Sequence, residues 1–84
     1  MDELIAELEA LSGTGFGENR LDVLCEVALF KPGSAYKAIR ANDAGSKVIY
    51  TDAAGNNVTC WAEDWSAAPR RAGTIAALRA KVPA

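Results

Sequence analysis

Leu4, Ile5, Leu8 and Leu11 recur at three- and four-residue intervals, with Glu3, Glu7 and Glu9 between them. That spacing places one apolar stripe on a helix and turns the acids to water. A helix is expected from about Asp2 to Ser12. Asp2 and Glu3 lie in its first turn, where negative charge complements the helix dipole, and Gly13 is a natural terminator. A second stripe, Leu21, Leu24, Cys25, Ala28 and Leu29, predicts a helix from about Asn19 to Phe30. Asn19 is the expected N-cap, Asp22 falls near the positive end of the dipole, and Pro32-Gly33 stops the run. The two helices are joined by Gly13-Thr14-Gly15-Phe16-Gly17. No strand precedes those glycines and no Gly-Lys-Ser/Thr ending follows, so a phosphate loop is excluded. A connector with Phe16 tucked into the core is expected.

The pattern then changes period. Ala35 to Ala41, Lys47 to Asp52 and Val58 to Glu63 are short β-prone runs, although the first also admits a helical reading. Asn42-Asp43-Ala44-Gly45 and Asp52-Ala53-Ala54-Gly55 separate them, each with a turn-forming side chain leading and glycine closing. This suits a type I turn followed by a left-handed residue, hence two successive hairpins. A last helix is expected from about Pro69 to Val82, with Ala72, Ile75, Leu78 and Val82 inward. Gly73 within it suggests close approach to another element. The expected fold class is therefore α+β, in the order α-α-β-β-β-α, with a three-stranded antiparallel meander packed by helices. At 84 residues, and without a linker or repeat, the chain is read as a single domain, 1–84.

Charge changes the picture more than composition does. Residues 1–30 carry seven acids (Asp2, Glu3, Glu7, Glu9, Glu18, Asp22 and Glu26) against the single base Arg20. From Lys31 onward there are eight bases against four acids, so a net charge of -2 conceals two opposed halves. Such asymmetry points to a charged partner or to docking between the halves. Arg70 and Arg71 are candidates for the second role. No run approaches the roughly 20 apolar residues needed to span a bilayer. The acidic start is unlike a signal or transit peptide, so a cytoplasmic location is expected.

Candidate chemistry is sparse. There is no histidine, and Cys25 and Cys60 stand far apart, so no zinc site is expected. Both are read as free thiols pointing into one core. Glu63 and Asp64 are adjacent and would diverge on a strand, which argues against an acid–base pair. Enzymatic activity and cofactors are not expected. In the third strand Val58, Cys60 and Ala62 alternate with Thr59, Trp61 and Glu63. Trp61, with Trp65, is then either a contact anchor on an uncovered sheet face or part of the core; both readings stand. Tyr36, Lys37, Arg40, Lys47, Tyr50 and Trp61 resemble the formula for single-strand nucleic-acid binding. They do not all share one strand face, and a pI of about 5.0 opposes it.

Three stretches, Leu4 through Gly13, Glu18 through Leu29 and Pro69 through Ala80, resemble the small α/β-sandwich proteins of tailed phages and prophages (phage ABA-sandwich domains). That group has no activity to carry over. In its small size and partly acidic character the chain is also similar in type to phage anti-CRISPR inhibitors. The resemblance implies a non-enzymatic inhibitor in the host cytoplasm, binding a host CRISPR-Cas surveillance complex and blocking its DNA channel. The expected contacts are Glu3, Glu7, Glu18, Asp22 and Glu26 as a phosphate mimic, with Trp61 and Trp65 as anchors. The expected partner is protein, with no small-molecule substrate and no membrane, and the chain itself is a monomer or weak homodimer. The alternatives are a nucleic-acid-binding regulator using the basic half, or a phage assembly accessory.

Overall fold

The computed structural model describes residues 1–11 and 13–82. Helices α1 (Asp2–Ala10) and α2 (Asn19–Leu29) precede strands β1 (Ala38–Ala41), β2 (Val48–Thr51) and β3 (Asn57–Cys60), and helix α3 (Arg70–Arg79) closes the order. The strands form an antiparallel meander, β1-β2-β3. The expected α+β architecture is the one observed. The expected end of α1 at Ser12 lies outside the described residues.

Both hairpins form as their turn residues dictate. Asn42 Oδ1 accepts from the N–H groups of Ser46 and Lys47 at 2.8 and 3.1 Å. Asp52 Oδ1 accepts from those of Ala54 and Asn56, both at 2.9 Å. Gly45 and Gly55 then take φ of 68° and 87°, a region that costs other residues steric strain. The strands are shorter than their β-prone runs. Ala35 and Tyr36 sit in a turn closed by Gly33 N–H on Tyr36 O at 2.9 Å. Beyond Cys60 the chain leaves the ladder because the Glu63 N–H turns to the Glu26 carboxylate on α2.

The three helices pack on one another, and α2 alone also lies on the sheet, against β1 and β2. Leu4, Ile5 and Leu8 of α1 meet Leu21 and Cys25 of α2 and Leu78 of α3 in the buried core. Because α2 is sandwiched between two layers, it buries two stripes. Asp22, Val23 and Glu26 are inside, whereas Leu24, expected inward, is exposed. The buried residues of α3 are Arg71, Thr74 and Leu78; Ile75, and Val82 just beyond the helix, pack against the core as expected, whereas Ala72 is outside. Helix α2 is capped by the extended Glu18, not Asn19, whose amide instead donates to Ser46 O at 2.8 Å.

Two other expectations are corrected. Phe16 is 84% exposed, since the connector runs over the surface. Gly73 has open space around it, and the close approach occurs at Gly17. A Cβ there would stand 2.6 Å from Ser66 Oγ and 2.8 Å from Ala67 N. Gly17→Ala should therefore destabilise by about 2 kcal/mol through overpacking, lowering Tm by roughly 10 °C for a domain of this size. Gly15→Ala, with nothing within 4 Å, should leave the thermal melt nearly unchanged. Equal melts for the two variants would refute the close contact.

Candidate functional site: the uncovered sheet face

Strand register sorts the sheet into two faces. Val48 pairs with Cys60 and Tyr50 with Val58 and Ile39, so these residues share the α2-facing side. Val48 is fully buried there, and Tyr50 Oη donates to Glu26 Oε2 at 2.5 Å. Cys25 is buried in the helix core, and its thiol is pushed up to about 12 by burial, then by the Asp22 charge. Cys60 is only half-buried, contrary to expectation, because β3 extends past the cover of α2.

The opposite face carries Arg40, Ile49 and Thr59 in one row and Ala38, Thr51 and Asn57 in the next. Among the described residues no helix lies on it. The Asp52–Asn56 closure places Lys47 across from Trp61, and Lys47 Nζ stands 4.5 Å from that ring's centroid. Trp61 itself is 67% exposed. The strands hold no carboxylate, so Arg40 and Lys47 give this face a positive character. Of the two readings of Trp61, the structure selects the exposed one. The sequence signal for Lys47 was the turn closure, which fixes the register.

Trp65 is not part of this surface. It packs on the core from the α2 side and donates Nε1–H to Glu26 Oε1 at 3.0 Å, while the Arg70 guanidinium stacks 3.8 Å from its ring centroid. The same Glu26 oxygen accepts the Glu63 N–H at 2.8 Å. Burial raises the Glu26 pKa, but the Glu63, Tyr50 and Trp65 donors and the Arg70 charge outweigh it. The carboxyl is held below its ordinary value.

The acidic helices are also rearranged by the fold. Asp22 and Glu26 are each 6% exposed and are withdrawn from any contact surface. Asp22 Oδ1 accepts from Ser66 N–H at 2.8 Å and Ser66 Oγ–H at 2.6 Å. Glu7 and Glu18 are exposed but both pair with Arg20, and Glu9 pairs with Arg79 at 2.7 Å. Asp2 and Glu3 have no ion pair among the described residues. Of the expected contacts only Glu3 is both accessible and unpaired on the helices, and it is not brought together with Trp61. Arg70 pairs with Glu63 at 3.0 Å rather than with the acidic helices.

Comparison with family models, curated proteins and solved structures returned no match. Among the described residues no helix is long and apolar enough to cross a membrane.

Ser66 carried no signal in its sequence context, whereas Arg71 was expected as a base that docks the two halves. Arg71 is 7% exposed and donates Nε–H to Ser66 O at 2.7 Å and Nη1–H to Leu11 O at 2.6 Å. Its Nη2 donates to Thr14 O at 2.9 Å and Phe16 O at 3.1 Å. Asp22 and Arg71 are thus both hydrogen-bonded to Ser66, the first accepting from its N–H and Oγ–H and the second donating to its carbonyl. Buried charges must be compensated, and that requirement explains a serine with no exposed surface between them.

Proposed function

We propose that this chain is a non-enzymatic binding protein that docks through the uncovered sheet face, with Trp61 as anchor and Arg40 and Lys47 selecting an acidic protein surface. The observation that carries the reading is a tryptophan 67% exposed, stacked under Lys47 at the edge of a sheet whose strands hold no carboxylate. Tryptophan and arginine are the side chains most enriched at binding hot spots. The positive face steers an acidic partner and rejects a basic one.

Inhibition of a CRISPR surveillance complex is one form of this proposal, and its support is the sequence resemblance. In that form the proposed contact surface differs from the acidic helices. With Asp22 and Glu26 inside and Glu7, Glu9 and Glu18 paired, the helices offer little free negative charge for mimicking phosphates. Contact through Trp61 replaces that mechanism.

A bacterial lysate containing surveillance complexes, passed over the immobilised protein, tests the reading. A partner retained by the wild type should be lost with Trp61→Ala, whose affinity should fall about 30-fold or more, as at a hot spot. Lys47→Glu should weaken capture, and Glu3→Lys should not. Retention by Trp61→Ala would remove the sheet face from the proposal. Anisotropy with single-stranded DNA at low salt covers the nucleic-acid alternative. Micromolar binding with a steep salt slope would overturn the protein-partner reading.

A further inference from the structure

We infer that two copies of this chain associate through the free edge of β3, each β3 pairing antiparallel with the other to join the two three-stranded sheets into one. The inference rests on the main chain of β3 and does not depend on the proposed function.

Among the described residues β3 contacts β2 and no other element, and α2 lies on β1 and β2 only. Asn57, Val58 and Thr59 are exposed. The Asp52 N–H donates to Asn56 O at 3.0 Å, so these two form a hydrogen-bonded pair. Such pairs alternate along an antiparallel ladder, and the register makes Tyr50 with Val58 and Val48 with Cys60 the next ones. Asn57 and Thr59 therefore aim N–H and C=O away from β2, where no other element of the described residues meets them. An edge of this kind is a template for another strand unless charge or proline guards it. Strand β3 has neither. Strand β1, at the opposite edge, carries Arg40 and follows Lys37.

The side chains beside those main-chain groups fit a second copy. Asn57-Val58-Thr59 is small polar, apolar, small polar in either direction, so a two-fold axis at Val58 makes the strand complementary to itself. Asn57 of each copy then faces Thr59 of the other, and each such pair exchanges N–H···O=C bonds both ways. On the uncovered face the Thr51 hydroxyl donates to Asn57 Oδ1 at 2.8 Å, which leaves Asn57 Nδ2 to donate to Thr59 Oγ1 across the axis. On the other face Val58, 43% exposed in the monomer, meets its own counterpart as a β-branched cross-strand pair. Because α2 stops short of β3, neither helix blocks the approach. The joined sheet ends on the two β1 edges with Arg40 and Lys37, so association closes at two copies and does not run on as a fibre. A few residues per side fall well short of the about 20–30 of a stable interface. The dimer is accordingly weak.

Sedimentation velocity from about 10 μM to about 1 mM, the span of a weak complex, should show the wild type shifting from monomer toward dimer. Over that span the Asn57 and Thr59 amides should slow about tenfold in hydrogen exchange. The Val58 and Cys60 amides, already bonded to β2, should not change. Val58→Lys and Val58→Glu should each stay monomeric, since like charges would stand opposite at the axis. Val58 is partly exposed, so both variants should melt close to the wild type. An equimolar mixture of the two should dimerise again, because opposite charges then meet across the axis. A wild type that stays monomeric at the highest concentration overturns the inference. So does a dimer that leaves the Asn57 and Thr59 amides unprotected. A mixture that associates no better than either variant alone rules out the axis at Val58.

Discussion

Replacing Glu26 by alanine should remove about 3–5 kcal/mol of folding stability, since three part-buried donors lose their acceptor at roughly 1–3 kcal/mol each. The donors are Glu63 N–H, Trp65 Nε1–H and Tyr50 Oη–H. Together they tie α2 to the sheet on one side and to the chain leaving β3 on the other. A domain of this size has about 5–15 kcal/mol in total, so the variant should be close to unfolding at 37 °C. Urea denaturation gives the magnitude. Near-ultraviolet dichroism should also lose the Trp65 and Tyr50 signals.

Glu26→Gln is the gentler probe and carries the pH dependence. The folded carboxyl lies below its ordinary value of 4.5, the donors and Arg70 outweighing burial. For a depressed acid, the stabilisation is present above the unfolded-state pKa and is lost as pH falls through the folded one. The stability gap between wild type and Glu26→Gln should therefore be widest at neutral pH and narrow below about 4.5. A gap that stays constant down to pH 3, or about that value, would contradict this account of the carboxylate.

Arg71→Ala has the second large effect. Four carbonyls lose a charged donor, among them that of Ser66, whose N–H and hydroxyl hold Asp22. Carbonyls left without their donor, at roughly 1–3 kcal/mol for each one kept from water, give an expected loss of about 3–5 kcal/mol. Arg71→Lys should recover only part, because one ammonium cannot reproduce the planar fork that reaches Ser66, Leu11, Thr14 and Phe16 together. Amide exchange should locate the damage. Phe16 and Glu18 should exchange much faster in Arg71→Ala, while the β2 amides track only the global loss. Uniform acceleration across the molecule would show that Arg71 does not clamp the 13–17 connector specifically.

The element order and both hairpins were legible in the sequence because short-range rules govern them. Asn42 and Asp52 can satisfy their own turns, and Gly45 and Gly55 admit the positive φ that closes each one. Apolar spacing likewise identified Leu4, Ile5 and Leu8, since α1 has one neighbouring layer to bury against. Period-2 alternation separated Trp61 from Val58 and Cys60, though not which face was covered. That depended on which helix lay against the sheet.

What the tertiary structure alone decided was the fate of the charges and of the connector. A carboxylate on a helix reads as solvated until a second layer closes over it. Because α2 lies between the helices and the sheet, Asp22 and Glu26 became internal acceptors, whereas Leu24 was left outside. Ser66 and Arg71 acquired their roles through partners 44 to 60 residues away, beyond the reach of any local pattern. Phe16 is apolar, and its sequence context suggested a place in the core. The chain path from α1 to α2 keeps it on the surface, because Arg71 holds its carbonyl while Gly17 turns inward against Ala67. Local periodicity thus determined the secondary structure, and long-range satisfaction of buried polar groups determined which side chains remain available for contact.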